Sequence, residues 1–526
     1  VVQYKKSNVT YIDAPFGTKS TNGKAPSEET KGKWNLTNHQ FIHTSKDIYN
    51  LRPIFINDSS REPPVTVLER LTASVKKFAK DAAAVGVNFD TSGRPILINE
   101  FSAPVRRRVD SGNEKGRGRG RGAPRGRGRG IGGFGGGRPS FVYEITPGEQ
   151  QLVQLLEKIP EKVYILLVLN RGNDSAIYNR LKEIVDRRFG VLNSCVVWES
   201  FSKNSAQYNT NAVMKMNLKL QGTNHSLSDK DLELLIDKES GLPFLVIAAD
   251  VTHYPEKDQN SIAAMVGSYE RTFSKFPGDY LLQDQPGEEI ISRIGEFVAS
   301  RLDIYKANNK GKLPPKILYY RDGTSETQLS QVVKIEVKGL KEALRKYGSR
   351  KKGAKKYDPP VTCVVVAKRN LVRFKPLHEN ATNAEGKTVA VQSMGNVMPG
   401  TVVDREITSP AHFDFFLQSQ QALAGTGVPC HYWCVYNENH FDSDYLQAIS
   451  HALCYTFGRS STSVKVVSPV YYADLLCTRA AQFFKANFEI LSAEFQKERK
   501  NKDDVIVPTK LLPPVHKNIR SVMYYI

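Results

Sequence analysis

Residues 245–270, LVIAADVTHYPEKDQNSIAAMVGSYE, limit the fold more than any other stretch: an apolar run, an aspartate at its end, a polar break and a second apolar run. Apolar residues bounded by Pro243 before and Asp250 after predict a fully buried strand, and a carboxylate at the carboxyl end of such a strand faces a crevice rather than a core. Two further segments repeat the design. Residues 316–326, KILYYRDGTSE, end a predicted strand near Asp322, and residues 464–484, VKVVSPVYYADLLCTRAAQFF, carry Asp474 into a helix. Three acids are thus expected at one mouth, and Glu289, expected to start a helix after the turn QDQPGE, supplies a fourth. In-line hydrolysis of a phosphodiester needs charge compensation on the attacking and leaving oxygens, which two hard cations about 4 Å apart, held by carboxylates, provide. The constellation points to a magnesium site that cuts RNA. Each acid taken alone reads more readily as a cap or an ion-pair partner.

A chain of 526 residues is long for a single core, so two or three domains are expected. Residues 1–45 are polar and turn-rich and read as a linker that leans on a domain through Trp34 and Phe41. Residues 51–57 predict a strand, and the next segment an amphipathic helix with Val67, Leu71, Val75, Phe78 and Ala82 on its apolar face, ending near Gly86. The domain resumes with a strand over 162–170, a turn RGND and a helix over 175–189, capped by Asp174 or Ser175, whose apolar face is Ile177, Leu181, Ile184, Val185 and Phe189. Strand, turn and capped helix leave free N–H groups and a positive dipole end at the strand's mouth, where a phosphate is favoured. Tyr178 and Lys182 lie one helical turn apart beside it. Lys215 and Lys219 add charge in VMKMNLKL, at helical or strand spacing. The bland reading of each is a solvated lysine or a boundary tyrosine. From residue 241 strands and helices alternate in the pattern of one large α/β domain, a mixed sheet with helices on its faces.

The formal charge of +20 and pI near 9.4 favour a polyanionic partner, nucleic acid or an anionic membrane surface. Residues 104–140 hold eleven basic and two acidic residues, so +9 is local and the remainder is still basic. The glycine density there forbids a packed core and predicts a disordered surface loop interrupting the first domain. Alternating Arg-Gly binds RNA phosphates and stacks on bases; the alternative is a tolerated low-complexity insertion. The six cysteines, at 195, 363, 430, 434, 454 and 477, have no zinc spacing and read as reduced intracellular thiols. No apolar run reaches the roughly 18 residues of a membrane span, and no signal-peptide pattern is present. A soluble, non-membrane, non-secreted protein is expected, and the start at Val1 reads as that of a fragment.

The series ADVTHYP, SIAAMVGS, YYRDGTSE, GNVMPGTVVD, HFDFFLQSQQALAGTGVPCHYWCVYNENHF and PVYYADLLCTRA, in that order, resembles the PIWI domain of eukaryotic Argonaute proteins, of fungal type. The strand and helix before it resemble the family's MID domain, and VVQYKKSN with KGKWNLTNHQFIHT resembles the linker after the PAZ domain. The resemblance implies an α/β chain: linker 1–45, a Rossmann-like MID domain over 46–240 with its insertion at about 104–140, and an RNase H-like PIWI domain over 241–526. The family's N-terminal and PAZ domains have no counterpart, so the chain resembles the MID–PIWI half.

Carried over residue by residue, the resemblance implies a catalytic tetrad of Asp250, Glu289, Asp322 and Asp474, with Asp250, Asp322 and Asp474 on Mg²⁺ or Mn²⁺. Glu288 is the weaker candidate beside Glu289, and relatives in animals commonly carry histidine at the Asp474 position. Tyr178 matches the tyrosine on which a guide's first base stacks. Lys182, Lys215 and Lys219 match the lysines around its 5′-phosphate, Arg459 and Arg479 the arginines, and Ile526 the inserted C-terminus. Ser194, before Cys195, departs from the glutamine of many relatives, so phosphate hydrogen bonding is expected to differ. The turn RGND occupies the place of the loop that reads the first base. The implied function is a guide-loaded endoribonuclease of RNA silencing, with a small guide RNA, complementary target RNA and silencing-pathway proteins as partners, monomeric with RNA, in the cytoplasm and open to the nucleus. The alternatives are a non-cleaving, guide-dependent platform and a stand-alone RNase H-like nuclease. Without a domain for the guide's 3′ end, this chain alone is expected to bind 5′ ends and to slice weakly or not at all.

Overall fold

The computed structural model describes residues 10–11, 40–58, 65–102, 105–109, 140–172, 174–254, 260–349, 357–375, 380–382, 388–390, 396–422, 424–498 and 512–526. Most of the expected linker and residues 110–139 of the Arg-Gly segment lie outside them.

The first sheet is parallel. β1 (Tyr49–Ile56) carries β2 (Phe89–Asp90) and β3 (Ile96–Ile98) on one edge, and on the other β4 (Val163–Leu169), followed by β5 (Asn193–Val197). β4 is buried at all seven positions, as a parallel strand covered on both faces must be. Helix α1 (Val65–Ala84) lays Leu71, Val75, Phe78 and Ala82 on one face, with Val67 at its margin. α2 (Pro147–Leu156) and α3 (Ser175–Lys182) cover the other face. Asp174 is the cap of α3, accepting from the amides of Ala176 and Ile177. The expected helix runs to Phe189, but its second half, Glu183–Phe189, is wound as a π-helix. α4 (Ala206–Lys219) settles the spacing of Lys215 and Lys219 as helical.

The ends of the Arg-Gly segment correct the expectation of a loop from 104 to 140. Val105–Val109 and Ser140–Glu144 pair antiparallel, because VRRRV and SFVYE have strand-forming residues that the glycine-rich average conceals.

The second sheet contains β6 (Leu245–Thr252), β7 (Asn260–Gly267), β8 (Gly278–Pro286), β9 (Ile317–Asp322), β10 (Val361–Ala367), β11 (Thr401–Val403), β12 (Phe413–Gln418) and β13 (Cys430–Asn437). Their order is β11-β12-β13-β10-β9-β6-β7-β8, with Thr10–Tyr11 on the β11 edge. β6, β7 and β8 form an antiparallel meander, and β9 and β10 add parallel to β6. α5 (Gly295–Asn308) and α6 (Lys338–Gly348) cover one face; α7 (Ser443–Leu453) and the long α8 (Ser468–Glu498) cover the other. Two placements differ from the sequence reading. Glu289 does not start a helix: it lies in an irregular segment six residues before α5. Asp474 borders no strand, since residues 464–467 form none, and it sits in the second turn of α8.

Candidate functional site: an acid cluster and a cation-lined cavity

Strand register builds the acid cluster. β6 and β9 pair in parallel up to Ala249 with Arg321, so Asp250 and Asp322 stand side by side one step further on. Alternation puts both on the face of Ala248 and Tyr320, the face that α8 covers. α8 thereby brings Asp474 over the strand ends, and its Cys477 thiol donates to the Asp250 carbonyl at 3.2 Å. Glu289 arrives from the opposite layer. A Cβ added at Gly323 would meet Glu289 Oε1 at 3.0 Å and Asp250 Oδ1 at 3.5 Å, so these acids surround the turn after Asp322. Glu288 instead braces that segment, accepting from Ser292 Oγ at 2.9 Å and the Gln285 amide at 3.3 Å.

The charges of the cluster are not balanced among the acids. Burial first, then the Asp322 carboxylate, push the Asp250 carboxyl up to about 7, against the pull of Lys368 and Arg321. Lys368 Nζ lies 2.7 Å from Asp322 and 4.0 Å from Asp474. Burial works against its charge, but Asp322, Asp474 and Asp250 more than offset this and hold the ammonium above its usual range. With Lys368 between them, no three His, Cys, Asp or Glu side chains among the described residues already stand in metal-ligating geometry. Glu289 is held from two sides: His253 Nε2 at 2.8 Å from one carboxylate oxygen, Arg321 at 2.9 Å from the other.

Gly323 has φ +92°, a backbone that a side chain enters at a cost of about 1–3 kcal/mol. Gly323→Ala is expected to lower unfolding free energy by about that amount in a denaturant titration; a change below roughly 0.5 kcal/mol would mean that the turn adapts and the acids are not packed against it.

The second feature is a cavity of about 270 Å³ lined by Tyr178, Lys182, Ser194, Cys195, Lys215, Lys219, Arg459, Arg479 and Ile526. All nine residues expected at a 5′-end site therefore meet in one place. Tyr178 and Lys182 share one flank of α3, with Lys182 Nζ 5.8 Å from the ring centroid. Arg479 donates to Tyr178 Oη at 3.0 Å and to Asp186 at 2.5 Å, joining the two sheets' helical layers. Lys182 is anchored by Asn193, Lys219 by the Asn193 carbonyl at 2.8 Å, and Ser194 by Tyr164 at 2.8 Å. Burial first, then Lys182 and Arg479, push the Lys219 ammonium well down; burial, then Arg459 and Lys182, lower Lys215, and burial lowers Arg459. Cations crowded into one cavity favour a multiply charged anion, and Tyr178 offers a ring face for a base.

The sequence reading missed Arg321, Lys368 and His253 around the acids, and Asp186 and Asn193 beneath the cations. Two carried a signal: an arginine inside the apolar run ILYYRD, and a histidine three residues after Asp250.

The β8-β7-β6-β9-β10 order, with acids at the ends of its parallel strands, defines an RNase H-like α/β protein. Residues 164–485 match the Piwi domain family. The structure resembles the C-terminal lobe of a budding yeast Argonaute, 55% identical, with 98% of this chain and 95% of that one covered at a TM-score of 0.86. The same identity and TM-score hold for Kluyveromyces polysporus Argonaute, a structure with a guide RNA, over 98% of this chain and 56% of that one. Argonaute MEL1 of Oryza sativa subsp. japonica is 32% identical over 380 residues, 68% of this chain and 34% of that protein. The chain spans about a third of the length of the curated relatives it matches. It belongs to the eukaryotic Argonaute family, as a MID–PIWI half of fungal type.

Proposed function

We propose that the chain holds the 5′-phosphate of a small guide RNA in the cation-lined cavity and cleaves complementary RNA at the acid cluster. The observation that carries this reading is one helix serving both places. Asp474 and Arg479 stand five residues apart on α8, about 7.5 Å along its axis, one turned to the acids and the other to the cavity. Tyr178 stacks the first base; Lys182, Lys215, Lys219, Arg459 and Arg479 neutralise the phosphate, with Ser194, Cys195 and Ile526 completing the wall.

The donor set suits a divalent cation. Its ligands are hard carboxylate oxygens, burial and the neighbouring Asp322 push the Asp250 carboxyl up, and the Lys368 ammonium already lies between Asp322 and Asp474, which supports a place for a cation there. Asp250, Asp322 and Asp474 would hold Mg²⁺ or Mn²⁺, which supplies Lewis-acid polarisation of the phosphodiester and a more acidic water. Glu289 completes the constellation, oriented by His253 and Arg321. We assign residues 46–240 to the MID domain and 241–526 to the PIWI domain, with cytoplasmic residence and silencing-pathway partners. A second reading, a guide-dependent platform that does not cut, has one observation in its favour: Lys368 already pairs with Asp322.

A short 5′-phosphorylated RNA at about a hundred times its dissociation constant is expected to stabilise the protein by about 2.7 kcal/mol, read as a rise in melting temperature, with its 5′-hydroxyl counterpart giving distinctly less. Equal shifts would remove the cavity from the account.

A further inference from the structure

Glu336 is fully buried on a π-helical turn, Val332–Val337, that leads into α6 and takes no part in the chemistry proposed above. Among the described residues, two of its three hydrogen-bond partners, Ile291 and Arg321, lead toward Glu289. Its Oε1 accepts from the Ile291 amide at 2.8 Å, and Tyr319 Oη donates to Oε2 at 2.7 Å. Arg321 Nε reaches its two oxygens at 3.1 and 3.2 Å. The other end of the Arg321 guanidinium donates to the Glu289 carbonyl and to its Oε1.

Strand geometry explains the arrangement. Tyr319 and Arg321 alternate on the face of β9 opposite Tyr320 and Asp322. A carboxylate below that face thus reaches the layer from which residues 288–294 approach. Hydrophobic burial does not account for such a pair: two fully buried charges bring little net stability over apolar residues of the same volume, and in some proteins what they add is a defined geometry. A π-helical turn is itself a local irregularity found frequently at functional sites. Here it faces the irregular segment that carries Glu289.

We propose that Glu336 is a positioning residue that holds Glu289 in the acid cluster, gripping the Ile291 amide directly and the Glu289 carboxylate through Arg321. It touches neither substrate nor the reacting atoms. The inference rests on Glu289 being the fourth acid.

The test uses the guide-loaded full-length protein with Glu336→Gln, Tyr319→Phe and Glu289→Gln. The measurements are single-turnover cleavage of saturating complementary RNA, KM for that RNA, guide affinity, and amide hydrogen exchange across the chain. Glu336→Gln is expected to slow cleavage on the order of 10–100-fold, the range of one lost charge-assisted contact, with KM and guide affinity unchanged and exchange accelerated at residues 287–294 alone. Tyr319→Phe is expected to do the same more weakly, about threefold to tenfold. If Glu336→Gln does not fold, Tyr319→Phe decides by the same two readouts. Normal cleavage and normal exchange at 287–294 would overturn the proposal, as would exchange rising evenly through the chain. Lost cleavage in Glu289→Gln beside normal cleavage in Glu336→Gln overturns the positioning role and leaves the four acids intact. Normal cleavage in Glu289→Gln overturns the fourth acid itself, and exchange at 287–294 then decides whether the grip exists.

Discussion

Asp250→Ala is expected to abolish guide-directed cleavage, by at least about 10³-fold or roughly 4 kcal/mol of transition-state stabilisation, while guide affinity stays within about twofold. The size follows from position. Asp250 is 5% exposed, beside Asp322 on the neighbouring parallel strand and within reach of Glu289 around Gly323. Its removal deletes the carboxylate that lies beside Asp322 and near Glu289. The carboxyl lost is one that burial first, and then Asp322, push up to about 7, so the folded protein is expected to survive the change. The cation-lined cavity uses none of its atoms. Single-turnover cleavage with a labelled target, beside filter binding of the guide, checks both halves, and full activity in the variant would refute the assignment of the acids.

Lys182→Glu is expected to erase most of the preference for 5′-phosphorylated over 5′-hydroxyl RNA, by about 10- to 100-fold, the worth of a charge-assisted hydrogen bond of about 1.5–3 kcal/mol. Lys182 is 1% exposed and fixed by Asn193, which also donates to Asp186. A carboxylate there faces Asp186 from below and the incoming phosphate from above. Lys182→Met is the milder control, removing the charge without reversing it. Competition binding with the two guide forms measures the ratio. An unchanged preference in Lys182→Glu would count against the cavity as the phosphate site.

The buried strands were legible because their apolar runs are bounded by Pro243, Asp250 and Asp322, and register alone then brings two acids together. Tyr178, Lys182, Lys215 and Lys219 were placed near a phosphate mouth from the residues themselves, while Ser194, Cys195, Arg459, Arg479 and Ile526 were legible only as a resemblance, since their encounter depends on α8 crossing from one sheet's layer to the other. Glu289 was found but misplaced. The apolar period of Ile290, Ile294, Phe297 and Val298 is helical, yet the backbone before Gly295 is drawn off by Arg321 at the Glu289 carbonyl and Glu336 at the Ile291 amide, long-range bonds that no local pattern encodes. Lys368 escaped for the same reason: at the end of VVVAK it reads as a strand's polar terminus, and only the fold turns it into the counter-charge of Asp322.

The most direct test of the account is a cleavage assay of the full-length protein, with a 5′-phosphorylated guide and an end-labelled complementary RNA, run with and without magnesium. One product, cut at a single fixed phosphodiester, requiring both the guide and the metal, is the predicted result. Intact target under all conditions, or cuts scattered along the RNA without any guide, would contradict it.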